Sequence, residues 1–486
     1  MALDQRALSG REVRLFPSHH IKSVREAELR ATASFLAVAR AVSEFGKTVV
    51  SIGRGPGGKL GCYTEVPFKV QDGAKPRKEQ PDGLLRVTWG KKHWTALIEV
   101  KVGNNFIEQE QFDRYHSMAG DHGINALITI SNQSALPNGL PPGLTVSKLL
   151  LKKVPVVHLS WERLLSEAQL LSRRKAVADP DQQWILEEWI RYLADPQSRI
   201  IEPPEIGEDW SEILRCAREG NLSACKSQLH DTVQRWDAFL RKVALRLRAK
   251  LGVNVVLKIS KSESHDPALH IKNLHSIAVN DGQLPGAFRI PDAAGDLSVV
   301  VLLASRSVQY SVEVKAPTEG KTIARIKWML KQLVSEEVPD DLVVQVHWGW
   351  GLSSQARIKD LKEQIDSLLW DSNGQKVPQE ALPRSFSLKW TIALPKGKGR
   401  STAPVLEGIA EGGDDFYKRV VEGLRPFVPK APRLRPEEPE KLETSDVDSA
   451  ERAPGEAEAS TTTQPAVEGE KARQAEMAPQ EEGNTN

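Results

Sequence analysis

Asp82, Glu99 and Lys101 are residue types that can do chemistry together, and they fall close in the stretch "QPDGLLRVTWGKKHWTALIEVKVG". Asp82 opens one apolar run and Glu99-Val100-Lys101 closes the next. The runs Leu84–Trp89 and Trp94–Val100, joined by the polar turn Gly90–His93, predict a β-hairpin. In an antiparallel hairpin the start of one strand lies beside the end of the next, so Asp82 falls beside Glu99. Alternation puts Glu99 and Lys101 on one face and Val100 on the other. Two carboxylates at one sheet corner repel unless a cation lies between them, and hard oxygen ligands suit Mg2+ or Mn2+. The ammonium of Lys101 can orient or activate a water there, or offset charge developing on a phosphate.

Flanking elements must hold that corner in place. Phe35, Val38, Val42 and Phe45 recur at helical spacing and predict a helix over Val24–Phe45, with Gly46 as its stop. Glu28 lies one and two heptads before Phe35 and Val42, on the inward face, whereas Glu26 shares a face with Arg30, Arg40 and Glu44 and is read as solvated. A strand is expected over Tyr63–Val70, a helix over Ile107–Ala119, and buried strands over Asn125–Ser131 and Val154–Leu159. A helix capped by Ser160 follows, then an amphipathic helix over Asp181–Asp195 whose Trp184 and Trp189 are both expected to pack.

The Pro-Asp turn, the Glu-x-Lys strand and their flanking elements resemble the PD-(D/E)xK nucleases of the restriction-endonuclease-like fold. That family has an αβββαβ core, with the Asp at the start of the second strand and Glu-x-Lys on the third. The helix that follows carries Gln111 and Tyr115 four apart, similar to the Gln-x-x-x-Tyr signature of RecB-like members. The likeness covers about residues 20–165. It implies that Asp82 and Glu99, with the Val100 carbonyl, hold magnesium, for which manganese can substitute. It further implies that Lys101 positions the attacking water, that Glu28 supports the metal or its water, and that Gln111 and Tyr115 contact substrate or brace the site.

After a Pro/Glu/Gly-rich linker at Ile200–Asp209, a second region is expected over 210–428, following a nuclease-like domain over 1–199. It reads as a long basic helix (Thr232–Leu251), strands near Val253–Ile259, Leu297–Ala304, Val308–Val314 and Leu342–His347, and a helix near Lys321–Leu333. Asp296, Glu313 and Lys315 repeat the spacing of the first constellation, with 17 residues from Asp to Glu in each case. A degenerate repeat of the nuclease fold and an unrelated αβ domain both fit, because the second Glu-x-Lys has no Gln-x-x-x-Tyr after it and the long helix has no glutamate. Arg235, Arg241, Lys242, Arg246, Arg248 and Lys250 on that helix could track phosphates or form a solvated face.

Composition sets the outer limits. Glu437–Asn486 holds 14 acidic and 4 basic residues, a net of −10, which leaves a body of 62 basic and 50 acidic residues at +12. The Pro/Glu/Ala/Ser/Thr-rich segment 429–486 is expected to be disordered, and the basic body is compatible with a nucleic-acid partner. No apolar run reaches the roughly 20 residues a bilayer span needs. With no secretory signal, Cys62, Cys216 and Cys225 are read as reduced thiols in a cytoplasmic protein. Gly53 to Gly58-Lys59 imitates a phosphate-binding loop, but Leu60 replaces the hydroxyl residue and a strand-like run follows, so no nucleotide cofactor is expected.

The expected fold is therefore α/β: a restriction-endonuclease-like αβββαβ core, a second α/β domain and a disordered acidic tail. The expected activity is metal-dependent hydrolysis of nucleic acid, DNA before RNA, in repair or defence against foreign DNA. The alternative is a catalytically inactive nucleic-acid-binding or scaffold protein on the same fold. No membrane partner is expected, and the sequence does not reveal the oligomeric state.

Overall fold

A computed structural model describes residues 14–429, apart from 19–20, 73–74, 362–363, 372, 379 and 400. Beyond Pro429 the acidic tail lies outside the described residues. By contact, Met1–Lys430 form one compact unit. The chain has a mixed α/β fold.

Its first region runs α1 (Val24–Ala41), α2 (Ser43–Ile52), β1 (Lys59–Thr64), β2 (Phe68–Asp72), β3 (Lys75–Glu79), β4 (Gly83–Trp89) and β5 (Lys92–Val100). Then come α3 (Gln109–Asp121), β6 (Ala126–Ser131), α4 (Lys148–Lys153), β7 (Val156–Ser160), α5 (Trp161–Arg173) and α6 (Pro180–Ala194). Five strands form one sheet in the order β1-β4-β5-β6-β7, antiparallel as far as β5 and parallel from β5 to β7. One face buries Val87, Ile98, Val100 and Ile128 against Phe35, Phe45, Trp161 and Trp189 of the helices. The other buries Leu84, Leu97 and Leu127 against Phe112 and Met118 of α3. Covered on both faces, β5 and β6 are buried runs rather than alternating ones.

Several sequence readings are corrected here. The single helix expected over Val24–Phe45 is two, broken at Val42, whose backbone is extended (φ −99, ψ 102). Gly46 is not a stop but an interior residue of α2, where a Cβ would lie 2.2 Å from the Ala39 carbonyl oxygen; its absence lets α2 fold closely onto α1. The expected strand Tyr63–Val70 is divided between β1 and β2, because Glu65 takes a left-handed conformation (φ 51) between them. The glycine loop turns helix α2 into strand β1 and opens no second helix. Trp189 is buried but Trp184 is 53% exposed; five residues apart on one helix, they point to different sides.

The second region runs α7 (Trp210–Arg218), α8 (Lys226–Leu251), β8 (Val256–Leu257), α9 (Lys261–His265), α10 (Pro267–Asp281), β9 (Gln283–Arg289), β10 (Leu297–Leu302) and β11 (Ser307–Lys315). It continues through α11 (Thr322–Leu330), β12 (Val343–Trp348), β13 (Ser353–Arg357), α12 (Ile358–Leu361), β14 (Pro383–Ala393) and α13 (Ala403–Phe416). Seven strands pair antiparallel in the order β13-β12-β14-β11-β10-β9-β8. The strand expected near 253–259 shrinks to the two-residue β8 at the sheet edge. Here β10, β11 and β12 alternate strictly, one face buried in the core and the other polar. The two regions meet where α5 packs on α8: Lys242 pairs with Glu162, Arg248 Nη2 lies 2.9 Å from Glu167, and Ser166 Oγ donates to the Leu245 carbonyl at 3.1 Å.

The reading of three reduced thiols is also corrected, since Cys216 and Cys225 are disulfide-bonded and only Cys62 is free. The chain turns back after α7 through Gly220 (φ 69), and Asn221 N–H donates to the Cys216 carbonyl at 2.9 Å. That reversal brings the two sulfurs together, which their spacing did not disclose. Among the described residues no helix is long and apolar enough to cross a membrane.

Candidate active site

The corner is built by register. Gly83 pairs with Ile98, so the residue before β4, Asp82, is opposite Glu99. Alternation turns Ile98 and Val100 into the helical core and leaves Glu99 facing α3. Asp82 Oδ2 accepts the Val100 N–H at 2.8 Å. A strand residue presents its N–H and C=O to the same side, so the Val100 carbonyl also faces Asp82. The loop after β5 is held from behind, where Trp161 Nε1 donates to the Lys101 carbonyl at 2.8 Å.

Glu99 is 2% exposed. Its Oε1 accepts from Lys101 Nζ at 2.7 Å and from Gln111 Nε2 at 2.6 Å. Its Oε2 is buried and meets no donor group among the described residues, and Glu99 shares a side-chain hydrogen bond with the neighbouring Asp82 carboxyl. Burial and the neighbouring Asp82 charge push the Glu99 carboxyl up to about 7, against the pull of Lys101. Burial likewise raises Asp82, opposed by the Val100 amide, Lys101 and a side-chain hydrogen bond with Glu99, and reinforced by Glu28. For Lys101, burial works against the charged form, but Glu99, Glu28 and Asp82 outweigh it and the ammonium is held more firmly than usual. Tyr115 is hydrogen-bonded to Gln111, and burial together with the Glu99 charge lifts its phenol to about 12.

Glu28 stands slightly back. Asn105 Nδ2 donates to its Oε1 at 3.2 Å, and its charge is felt at Asp82, Glu99 and Lys101. Among the described residues it does not close with the other two carboxylates into a cluster within 4.8 Å. Glu26 is occupied elsewhere, accepting from the Lys22 N–H at 2.9 Å and from Arg30 Nη2 at 2.7 Å. Thus Asp82, Glu99, Val100, Lys101, Gln111 and Tyr115 come together, with Glu28 at their margin. Sequence reasoning did not single out Asn105 or Trp161. The turn "GNN" hinted at a constrained loop, but nothing in it identified Glu28 as the partner.

This donor set fits a hard divalent cation. Two carboxyls and a carbonyl converge, one buried oxygen meets no donor group among the described residues, and both carboxyls hold protons above their ordinary range. Groups perturbed together at one corner are common to functional sites and to structural ion-pair networks.

The other constellations differ. Leu297 pairs with Val312, which sets Asp296 opposite Glu313, but Asp296 already has cations: Lys258 Nζ at 2.7 Å and Arg289 Nε at 3.5 Å. Glu313 is exposed and accepts from Ser385 Oγ at 2.6 Å. The six basic residues in the Thr232–Leu251 part of α8 are mostly half-buried, with Arg235 and Lys250 exposed. Each has an acidic partner, from Asp231 for Arg235 to Asp414 for Lys250. His116 and His158 are buried and bonded to backbone carbonyls or hydroxyls, as packing histidines are. Comparison of the chain with family models, curated proteins and solved structures gives no match, so the reading of this corner rests on its geometry.

Proposed function

We propose that this chain is a metal-dependent phosphodiester hydrolase acting on nucleic acid, with DNA as its substrate class. The observation that carries the reading is the buried Oε2 of Glu99, which meets no donor group among the described residues and lies in a carboxyl that faces Asp82, with Lys101 on the opposite oxygen. The succession α1, β1, β4, β5, α3, β6 follows an αβββαβ order and supports a restriction-endonuclease-like core, with Asp82 at the head of its second strand.

Asp82, Glu99 and the Val100 carbonyl would hold magnesium, which when bound supplies Lewis acidity toward a phosphoryl oxygen and acidifies a water. Lys101, fixed by Glu99 and kept charged, orients the attacking water and offsets charge building on the phosphate. Gln111 fixes the Glu99 rotamer and bonds to Tyr115, which is buried beside Glu99 and braces the site. Glu28, steadied by Asn105, adds negative potential that favours cation entry. Burial of Glu99 at the corner keeps competing water out and strengthens every charge there.

The test is cleavage of plasmid, linear DNA and labelled RNA with magnesium and with chelator. Wild type is expected to cut in magnesium only, and Lys101→Ala to lose about 10²–10³-fold, the usual cost of removing one charge-stabilising group. Binding without cutting, unchanged by chelator or by Lys101→Ala, would replace the enzyme by the inactive nucleic-acid-binding reading.

A further inference from the structure

Between β1 and β4 the chain makes an excursion, the two-stranded ribbon β2–β3, whose feet stand on the candidate active site. Glu65 N–H donates to the Asp82 carbonyl at 3.2 Å, and Gln80 Nε2 donates to the Glu65 carbonyl at 2.7 Å. The ribbon therefore leaves and rejoins the sheet at Asp82 itself. Its inner face is anchored to α3, with Phe68 and Val70 packing on the cluster that contains Phe112, Tyr115 and Met118. His122 Nε2 donates to the Lys69 carbonyl at 3.0 Å, and its ring meets Phe68 at 5.2 Å.

Register then dictates the outer face. Phe68 pairs with Glu79 and Val70 with Arg77, so the intervening pair, Lys69 and Lys78, faces away from α3. Both lysines are exposed, and neither has an ion-pair partner among the described residues. Like charges directly opposite on a ribbon destabilise it, and a two-stranded ribbon has little stability to spare. The six α8 cations from Arg235 to Lys250, by contrast, each pair with an acid of the chain. Paired ammoniums left uncompensated beside a candidate phosphodiesterase corner match an anion supplied from outside.

We propose that the β2–β3 ribbon is an arm that grips the nucleic-acid backbone next to the reacting phosphate, with Lys69 and Lys78 each neutralising one phosphate. The proposal rests on the hydrolase reading and adds to it the surface along which the substrate strand runs. Because the arm springs from Asp82 and lies on the helix bearing Gln111 and Tyr115, a strand held by it is delivered to the metal corner.

The test measures binding of a fluorescein-labelled DNA duplex by anisotropy across a KCl series, with calcium in place of magnesium. Wild type is compared with Lys69→Gln/Lys78→Gln and with Lys69→Arg/Lys78→Arg. Turnover of bis(p-nitrophenyl) phosphate in magnesium is measured in parallel. The Gln pair is expected to flatten the slope of log K against log salt by about 1.8, at roughly 0.9 per phosphate, while small-diester turnover stays at the wild-type level and the Arg pair retains the slope. A Gln-pair slope equal to that of wild type overturns the arm, and if wild type still hydrolyses the small diester the hydrolase reading survives. Wild type that neither hydrolyses the diester nor binds DNA in a salt-dependent way overturns both.

Discussion

The corners at Asp82 and Asp296 use the same three residue types at the same spacing and the same register, yet only one has the electrostatics of a site. In each hairpin the Asp precedes its strand by one residue and lies opposite the Glu. The connecting turns are different: Trp89 pairs with Lys92 across a tight turn, Leu302 with Ser307 across a longer one. Equal spacing therefore delivers equal proximity. What separates the corners is coverage. β5 is flanked by paired strands and covered on both faces, so Glu99 is buried, pushed up to about 7 and left with an oxygen that meets no donor group among the described residues. β11 lies in a sheet with one open face, and β14 is inserted antiparallel between it and β12, where β6 pairs directly with β5 in the first sheet. Glu313 consequently meets solvent and Ser385, and Lys258 fills the cation's place at Asp296. Spacing brings acids together, and burial decides how far their protonation is perturbed.

The sharpest way to break this contrast is to apply the lysine truncation at the second corner. Lys315→Ala is expected to cleave DNA within about twofold of wild type, against the loss of about 10²–10³-fold for Lys101→Ala. Equal losses in the plasmid assay would make the second corner a functioning one.

Coverage of the first sheet can be probed through acid. His158 is buried on β7, where loss of solvation lowers its pKa to about 4, with the Gln133 carbonyl bond opposing. A histidine depressed from about 6.5 contributes stability in full above that pH, and the contribution is lost as pH falls toward 4, amounting to about 3 kcal/mol in all. Urea unfolding at pH 7 and pH 4.5 should show that loss in wild type and a shallower one in His158→Gln. An unchanged pH slope in the variant would mean the sheet is wetter than its packing indicates.

The smaller expected effect is linkage to metal. Magnesium at about 100 times its Kd should stabilise the fold by about 2.7 kcal/mol in thermal melts. Glu313→Gln should keep that gain and Glu99→Gln should lose it. Because the raised carboxyl of Glu99 costs stability as pH rises from about 4.5 through about 7, Glu99→Gln without metal should also melt higher than wild type at pH 8. A lower melting point there would show that Glu99 is a structural ion-pair partner instead.

Much of this was legible in the chain itself. The alternation of the hairpin specified that Asp82 meets Glu99 and that Lys101 shares the Glu99 face, because pairing arithmetic in an antiparallel ribbon is local. The four-residue spacing of Gln111 and Tyr115 likewise specified a common helix face, and a heptad count distinguished Glu28 from Glu26. Other features were closed to such reasoning. The two-helix break at Val42 follows from close packing of α2 on Ala39, the Cys216–Cys225 bond from a chain reversal, and the neutral character of α8 from acids as distant as Glu162 and Asp414.

The amino-acid order alone determined which groups could become neighbours within a strand pair or along a helix, since those distances depend on short-range geometry. The layering of helices on both faces of one sheet and on one face of the other was decided only in three dimensions. That layering is what strips water from Glu99 and leaves it on Glu313, and it rests on contacts between residues far apart in the chain.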